Sequence, residues 1–264
     1  MRFAAQIAAG SLALVALILW TLRDPGRLGT STAPTLDGAT PCVMPIFVLN
    51  MDKRPDKLEC TRQRLAAFGG KTFERSPGID VHANAPLVAR SPYITGTNVR
   101  PGNAGSALAH LGAWERVARM AEPVLILEDD EPPLSLVTCD DAATASLGFD
   151  LILMNVLRPR GHRLVDRELF LYQVDTPLLR VTWNVRLLPN IWISAYVLSP
   201  AGARKLLALF AAYPADMDWE VFDRSLMRRL INKAHDVNLY VIGQTNRYFM
   251  HSETDSDRGA SSRR

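Results

Sequence analysis

Short apolar runs that alternate with amphipathic segments constrain the fold of this chain more than any other feature. Continuous apolar runs of this kind are typical of strands that are buried on both faces of a sheet. They cover 46–49, 124–127, 151–154, 191–198 and 239–242. Between them, apolar residues recur at intervals of three and four, which predicts helices. These helices cover 55–68, 104–121, 200–210 and 220–233. The alternation predicts a single α/β domain with a mostly parallel sheet flanked by helices.

The amino-terminal segment has a different character from the rest of the chain. Residues 3–22 carry no charge, and about 20 apolar residues are enough to cross a bilayer as a helix. We expect 1–22 to be an uncleaved signal-anchor transmembrane helix, because no small-residue cleavage site follows the apolar run. A cleaved signal peptide is the alternative. Residues 23–41, rich in Gly, Ser, Thr and Pro, predict a flexible stem, and 251–264 predict a disordered tail.

This organisation places the folded domain at 42–250 and predicts a single-pass membrane protein. In a eukaryote the domain is expected to face the lumen of the Golgi or endoplasmic reticulum, and in a bacterium the anchor is expected in the inner membrane. The net charge of +3 comes from 30 basic and 27 acidic residues with no polybasic run. This charge distribution argues against nucleic acid as a partner.

The three cysteines are Cys42, Cys60 and Cys139. Their wide spacing excludes a zinc ribbon and a CxxC redox site. We expect them to be small buried apolar side chains, with one disulfide as the alternative.

A run of carboxylates follows the second buried strand directly, at Glu128–Glu131. Carboxylates on one short turn repel each other, and a hard divalent cation relieves that repulsion. Side chains alternate along a strand, so Glu128 and Asp130 are expected to point one way and Asp129 the other. Ligands of α/β sheets bind beyond the carboxyl ends of strands. The pattern therefore favours Mn²⁺ or Mg²⁺ held by Glu128 and Asp130, with a solvated acidic turn as the alternative.

Polar residues also follow the first strand, where Asn50, Asp52 and Arg54 are candidates to hold the base, ribose or phosphates of a nucleotide. His110 and Trp114 are four residues apart and share one face of their helix. His110 is either a satisfied buried histidine or a contact to a donor substrate.

Four segments resemble glycosyltransferase family 25, which includes lipopolysaccharide glycosyltransferases and procollagen galactosyltransferases. They are IFVLNMDKRPDKL (46–58), GNAGSALAHLGAW (102–114), VLILEDD (124–130) and ISAYVLSPAGARKLL (193–207). The chain departs from the family pattern at Lys57, Asn103, Ser106 and Ala109. The resemblance implies a GT-A-type fold and inverting transfer, assisted by Mn²⁺, from a nucleotide sugar, often UDP-galactose. The expected acceptor is a hydroxyl of a glycan, a lipopolysaccharide or a protein.

The resemblance also bears on the general base that must take the proton of the acceptor hydroxyl. Asp216 matches the family pattern best within 214–220, and Asp218 is the second candidate; the alternative is an ordinary helix start, where aspartate is favoured. His251 is a candidate third metal ligand, or an exposed histidine of the tail.

Two classes of function follow from these observations. The first is a membrane-anchored glycosyltransferase, and the second is a non-catalytic relative that binds a nucleotide sugar or a glycan. In an enzyme, Glu128, Asp130 and either Asp216 or Asp218 must line one cleft.

Overall fold

The computed structural model describes residues 44–66, 72–96, 99–130, 148–154, 163–166, 171–173, 193–218, 221–233 and 236–242. The predicted anchor, stem and tail lie outside these ranges. Within these ranges, the search for a helix long and apolar enough to span a bilayer finds none.

Helices and strands alternate along the described part of the chain, as the apolar runs predict. The helices are α1 (Pro55–Ala66), α2 (Ala85–Arg90), α3 (Pro101–Val117), α4 (Pro200–Ala212) and α5 (Phe222–Asn232). The strands are β1 (Ile46–Asn50), β2 (Glu74–Pro77), β3 (Ile94–Thr95), β4 (Val124–Glu128), β5 (Leu151–Leu153), β6 (Arg163–Asp166), β7 (Leu171–Gln173), β8 (Ala195–Leu198), β9 (Ala215–Asp216) and β10 (Leu239–Ile242).

Eight strands form one mixed sheet in the order β2-β1-β4-β8-β5-β10-β7-β6. β1 is parallel to β2 and β4, and β5 is parallel to β10. β8 runs antiparallel to both β4 and β5, and β7 runs antiparallel to β10 and β6. All strands of this sheet except β7 and β8 therefore run in one direction, which confirms the prediction of a mostly parallel sheet. β3 and β9 form a separate parallel pair.

The core lies on both faces of this sheet. One face packs against α3, α4 and α5, where the buried side chains include Trp114, Phe210 and Phe222. The other face packs against α1, where Leu65 is fully buried. Gly202 lets the start of α4 approach the sheet closely, because a Cβ at that position would clash with the carbonyl oxygen of Asp150.

The predicted starts of α1 and α4 match the structure, whereas those of α3 and α5 differ, and α5 begins at Phe222 rather than at 220. α1 begins at Pro55 as predicted, and α4 begins at Pro200 with the Ser199 hydroxyl accepting the Gly202 N–H at 2.9 Å. α3 spans Pro101–Val117 rather than 104–121. Proline suits the first helical position because its missing N–H would have no partner there, and the apolar periodicity begins only three residues later.

Cys60 is exposed and carries a free thiol. The expectation that it is buried is therefore wrong, because it lies on the solvent-facing side of the amphipathic α1. Cys42 and Cys139 lie outside the described residues.

Candidate functional site

The carboxyl ends of β1 and β4 meet at one edge of the sheet. Leu49 lies opposite Glu128 in the parallel register, so the next residues along, Asn50 and Asp129, are also neighbours. The antiparallel β8 begins beside them, where the Glu128 N–H donates to the Ser194 carbonyl at 2.7 Å. This edge collects the acidic residues after β4 and the polar residues after β1, and it is the candidate site.

Glu128 and Asp129 lie on opposite faces of the sheet. Glu128 contacts His110 of α3, whereas Asp129 contacts Asn50 and approaches Lys57 of α1. This is the alternation expected of consecutive strand residues. Two adjacent carboxylates thus enter two different environments.

The Asp129 environment is polar and cationic. The buried Asn50 amide donates at 2.7 Å to the Asp129 carboxylate and at 2.7 Å to the Arg54 carbonyl. The Asn50 side-chain oxygen accepts a hydrogen bond of 3.1 Å from Arg75. The Lys57 ammonium lies 4.0 Å from the second Asp129 oxygen. Asn50, predicted as a donor-binding residue, thus orients Asp129 in this structure.

Burial raises the pKa of the Asp129 carboxyl to about 6, because desolvation disfavours its charged form. The Asn50 hydrogen bond and the Lys57 charge act against this shift, and the neighbouring charges of Asp130 and Glu128 add to it. Asp129 therefore titrates closer to neutral pH than an ordinary aspartate.

The Glu128 environment is aromatic and buried. His110 Nε2 lies 3.1 Å from the Glu128 carboxylate, and His110 Nδ1 lies 2.9 Å from the Tyr196 hydroxyl. The indole N–H of Trp114 donates to the same hydroxyl at 2.8 Å. We call Trp114, Tyr196 and His110 the aromatic triad. None of the three is more than 1% exposed, so His110 contacts Glu128 and Tyr196 rather than solvent. Burial also raises the pKa of the Tyr196 hydroxyl well above its usual value.

The other two residues predicted to bind a donor lie in the loop after β1. Asp52 forms an ion pair with Arg75, and its side chain is 89% exposed. Arg54 makes two hydrogen bonds to Asp56, of 3.0 and 2.9 Å. These bonds lower the pKa of the Asp56 carboxyl. Asp52 and Arg54 thus lie next to the candidate site, and each already has a partner within the protein.

Asp216 and Asp218 lie in and after β9, which is held against β3 by the pairing of Asp216 with Thr95. The Asp218 N–H donates to the Asp216 carboxylate at 3.1 Å. From α5, the buried Arg229 side chain donates at 2.5 Å to the carbonyl of Tyr213, just before β9. The segment that carries Asp216 and Asp218 is therefore held by β3 on one side and by Arg229 of α5 on the other.

This segment shares a face of the sheet with Glu128. Its apolar residues Ala215 and Met217 belong to the same core cluster as Trp114. Phe222, four residues after Asp218, stacks on the His110 ring with a centroid distance of 5.6 Å and an interplanar angle of 20°. The structure thus places the segment 215–218, which carries the predicted bases, over the same face of the sheet as Glu128.

The donor atoms at this edge fit a hard cation that is held partly by its substrate. Glu128 and Asp130 are partly exposed carboxylates at and just after the end of β4. Mg²⁺-like cations typically take one or two protein carboxylates and complete their shell with water and phosphates. In the described ranges, no three His, Cys, Asp or Glu side chains converge on one point. The predicted third ligand, His251, lies outside those ranges.

Three residues of this site were not identified from the sequence as site residues: Lys57, Arg75 and Tyr196. Arg75 belongs to β2, whose polar sequence ERSP does not resemble a strand. Tyr196 had a usable signal, because a tyrosine within a buried run needs a partner for its hydroxyl.

The comparison with solved structures finds a weak likeness. A 4-diphosphocytidyl-2C-methyl-D-erythritol synthase from Anaerococcus prevotii DSM 20548 is 13% identical, with a TM-score of 0.38 over 80% of this chain and 94% of that chain. A likeness of this size supports no inference about fold or function. No family model matches the chain.

Curated relatives give a clearer result. The chain is 29% identical over 183 residues to the rat "Probable inactive glycosyltransferase 25 family member 3", covering 62% of this chain and 29% of the relative. It is 30% identical over 183 residues to the mouse "Inactive glycosyltransferase 25 family member 3", covering 62% and 28%. It is 29% identical over 216 residues to the human protein of that name, covering 73% and 34%. The chain spans about a third of the length of these relatives. The resemblance to glycosyltransferase family 25 is confirmed by this similarity to members of the family.

Proposed function

We propose that this chain is a glycosyltransferase that moves a sugar, galactose in the first instance, from a UDP-sugar to a hydroxyl of a glycan, a lipopolysaccharide or a protein. The observation that carries the proposal is the sheet edge at Glu128–Asp130, where carboxylates follow a buried strand and the first is held by a buried hydrogen-bond network. The similarity to family 25 members supports the same chemistry. The mixed α/β sheet is compatible with the GT-A-type fold that the resemblance implies.

Glu128 and Asp130 are the residues that would hold Mn²⁺ or Mg²⁺ beside the donor diphosphate. A bound cation would neutralise the negative charge that develops on the leaving nucleotide. Asp129 has a separate role in this proposal, because its contacts with Asn50 and Lys57 keep it on the other face. It fixes the loop after β1 next to the donor.

Asp216 is proposed as the general base that accepts the proton of the acceptor hydroxyl, with inversion at the anomeric carbon. A positioned base typically contributes about 10²–10⁴-fold to the rate. Asp216→Asn preserves volume but removes this function, so turnover should fall by about that factor while UDP binding stays near normal. Asp218→Asn is the matched comparison. If both amide variants keep wild-type turnover, neither residue is the base.

A non-catalytic relative that binds a nucleotide sugar or glycan is the second candidate. It is favoured by the names of the curated relatives, all of which include the word inactive. The two candidates share the donor site and differ in what happens after the donor binds.

A hydrolysis screen of UDP-sugars with the full chain and Mn²⁺ separates the candidates. The glycosyltransferase proposal expects one donor to be hydrolysed fastest, and it expects EDTA or Asp130→Ala to remove that hydrolysis. Binding of a UDP-sugar without hydrolysis or transfer would support the non-catalytic candidate. Absence of binding to any UDP-sugar would contradict the glycosyltransferase proposal and would leave only the glycan-binding form of the second candidate.

A further inference from the structure

The hydrogen bonds of the aromatic triad have a defined direction. An indole N–H is only a donor, so the Tyr196 oxygen accepts from Trp114 at 2.8 Å. The Glu128 carboxylate can only accept, so His110 carries a hydrogen on Nε2, which faces that carboxylate at 3.1 Å. In the tautomer with this single hydrogen, Nδ1 is an acceptor, and the Tyr196 hydroxyl donates to it at 2.9 Å.

We infer that the aromatic triad is a positioning device that locks the Nε2–H tautomer of His110 and thereby holds the Glu128 carboxylate in one orientation. The effect of this device on ligand binding rests on the proposed function. Trp114, Tyr196 and His110 act through Glu128 and are positioning residues. His110 itself, predicted from the sequence to contact a donor, would influence the donor only through this carboxylate.

The packing around the triad gives this device its rigidity. Trp114 contacts Phe210 and Phe222 at centroid distances of 5.6 and 5.5 Å, and His110 stacks on Phe222. Close-packed buried rings of this kind have little freedom to change rotamer. Burial of the rings also keeps water from competing for their polar atoms. The orientation of Glu128 is thus set before any ligand arrives.

The register of the sheet explains how distant segments build the triad. Tyr196 lies opposite Ile126 in the antiparallel pairing of β8 with β4. Ile126 is two residues before Glu128, so Tyr196, Ile126 and Glu128 lie on the same face of the sheet. His110 and Trp114 lie one helical turn apart on α3, and both reach the Tyr196 hydroxyl. Outer hydrogen-bond partners of metal ligands typically contribute about 10–100-fold to metal affinity or activity.

Nitrogen NMR of the histidine rings in the full chain tests the tautomer directly. The chain has five histidines, and the signals lost in His110→Gln identify His110. In the wild type we expect a hydrogen on Nε2 and an accepting Nδ1. Tyr196→Phe keeps the ring and removes the hydroxyl, so Nδ1 loses the hydrogen bond that it accepts and its signal should shift. The control Leu65→Val changes a buried apolar side chain on the opposite face of the sheet and should leave the ring signals unchanged.

A wild-type His110 with its hydrogen on Nδ1 would overturn the inference, and so would identical ring signals in the wild type and Tyr196→Phe. If Tyr196→Phe does not fold, Trp114→Phe replaces it. Loss of the indole donor weakens the Tyr196 hydroxyl as a donor, because hydrogen bonds in a chain polarise one another, so a smaller shift of the same Nδ1 signal is expected.

Calorimetric titration with UDP and Mn²⁺ provides the second readout. Tyr196→Phe should weaken binding by about 10–100-fold, whereas Leu65→Val should not. Unchanged binding in Tyr196→Phe would overturn the inference while the proposed function stands. If the wild type itself does not bind UDP with Mn²⁺, the proposed function fails, and the ring signals then decide whether the triad positions Glu128.

Discussion

Glu128 and Asp129 are adjacent in sequence, yet they have unlike surroundings. Glu128 meets the aromatic triad in the core, whereas Asp129 meets the Asn50 amide and the Lys57 ammonium. The alternation of strand side chains produces this division. A single acidic motif can therefore contain residues for two tasks, one directed to a ligand and one to the architecture of the neighbouring loop.

The two surroundings also treat negative charge differently. Glu128 is oriented by its hydrogen bond with His110. Burial raises the pKa of the Asp129 carboxyl, by desolvation, in spite of the nearby Lys57 ammonium. Substitutions around Glu128 and substitutions around Asp129 should therefore have different effects on stability and on its pH dependence.

The largest effect on stability is expected from Trp114→Ala, which removes one member of the aromatic triad beside Glu128. Loss of a fully buried large aromatic side chain typically lowers the free energy of unfolding by about 3–5 kcal/mol. Here the Tyr196 hydroxyl also loses its indole donor. Urea denaturation followed by circular dichroism measures this change. A loss below about 1 kcal/mol would show that the triad does not contribute to the core as the structure indicates.

Asp129→Asn tests the other side through its pH dependence, with EDTA present. The folded pKa of about 6 exceeds the value of about 3.9 for an unfolded aspartate. Between these values the folded state binds more protons, so the contribution of Asp129 to stability is lost as pH rises from about 4 through about 6. Relative to Asp129→Asn, the wild type should lose about 2–3 kcal/mol between pH 4 and pH 7. Urea denaturation at both pH values checks this, and a constant difference between the two proteins would contradict it.

Asn50→Asp sharpens the comparison, because it replaces the amide that donates to Asp129 with a second carboxylate. A buried group that loses its partner typically costs about 1–3 kcal/mol. We expect a loss of that size at pH 7. The double variant Asn50→Asp, Asp129→Asn exchanges the two groups and should recover part of the stability in a double-mutant cycle. Additive losses in that cycle would exclude a direct interaction between the two side chains.

Asp56→Ala should have the smallest effect and serves as the charge-removal control. Asp56 pairs with Arg54 at the protein surface, and exposed ion pairs contribute little to stability. The urea midpoint should therefore stay unchanged. A clear decrease would indicate that the loop after β1 depends on this pair more than its exposure suggests.

The fold was largely predictable where buried strands are apolar throughout. β5, β8 and β10 lie within predicted apolar runs, and β1 and β4 each extend one residue beyond theirs, to Asn50 and Glu128. β2 was not predicted, because the edge strand Glu74–Pro77 is polar and ends in proline. An apolar run also carries no information on strand direction, so the antiparallel orientation of β8 was not predicted.

Only those features of the site that depend on residues close together in sequence were predictable. The alternation at the end of β4 and the shared helix face of His110 and Trp114 follow from periodicity alone. The partners of these residues do not follow from periodicity. Tyr196 and Arg75 come from strands whose places in the sheet depend on contacts between residues distant in sequence. Asn50 shows the same limit: its position at a strand end was clear, but its bond to Asp129 requires the order of β1 and β4.

Binding of UDP to the full chain, measured calorimetrically with Mn²⁺ and again with EDTA, tests the central claim most directly. Asp130→Asn is the companion variant, because it keeps the size of the side chain and removes its charge. We predict binding that requires Mn²⁺ and is lost in Asp130→Asn. Equal binding of UDP with Mn²⁺ and with EDTA, or wild-type affinity in Asp130→Asn, would contradict a cation-assisted nucleotide-sugar site at the end of β4.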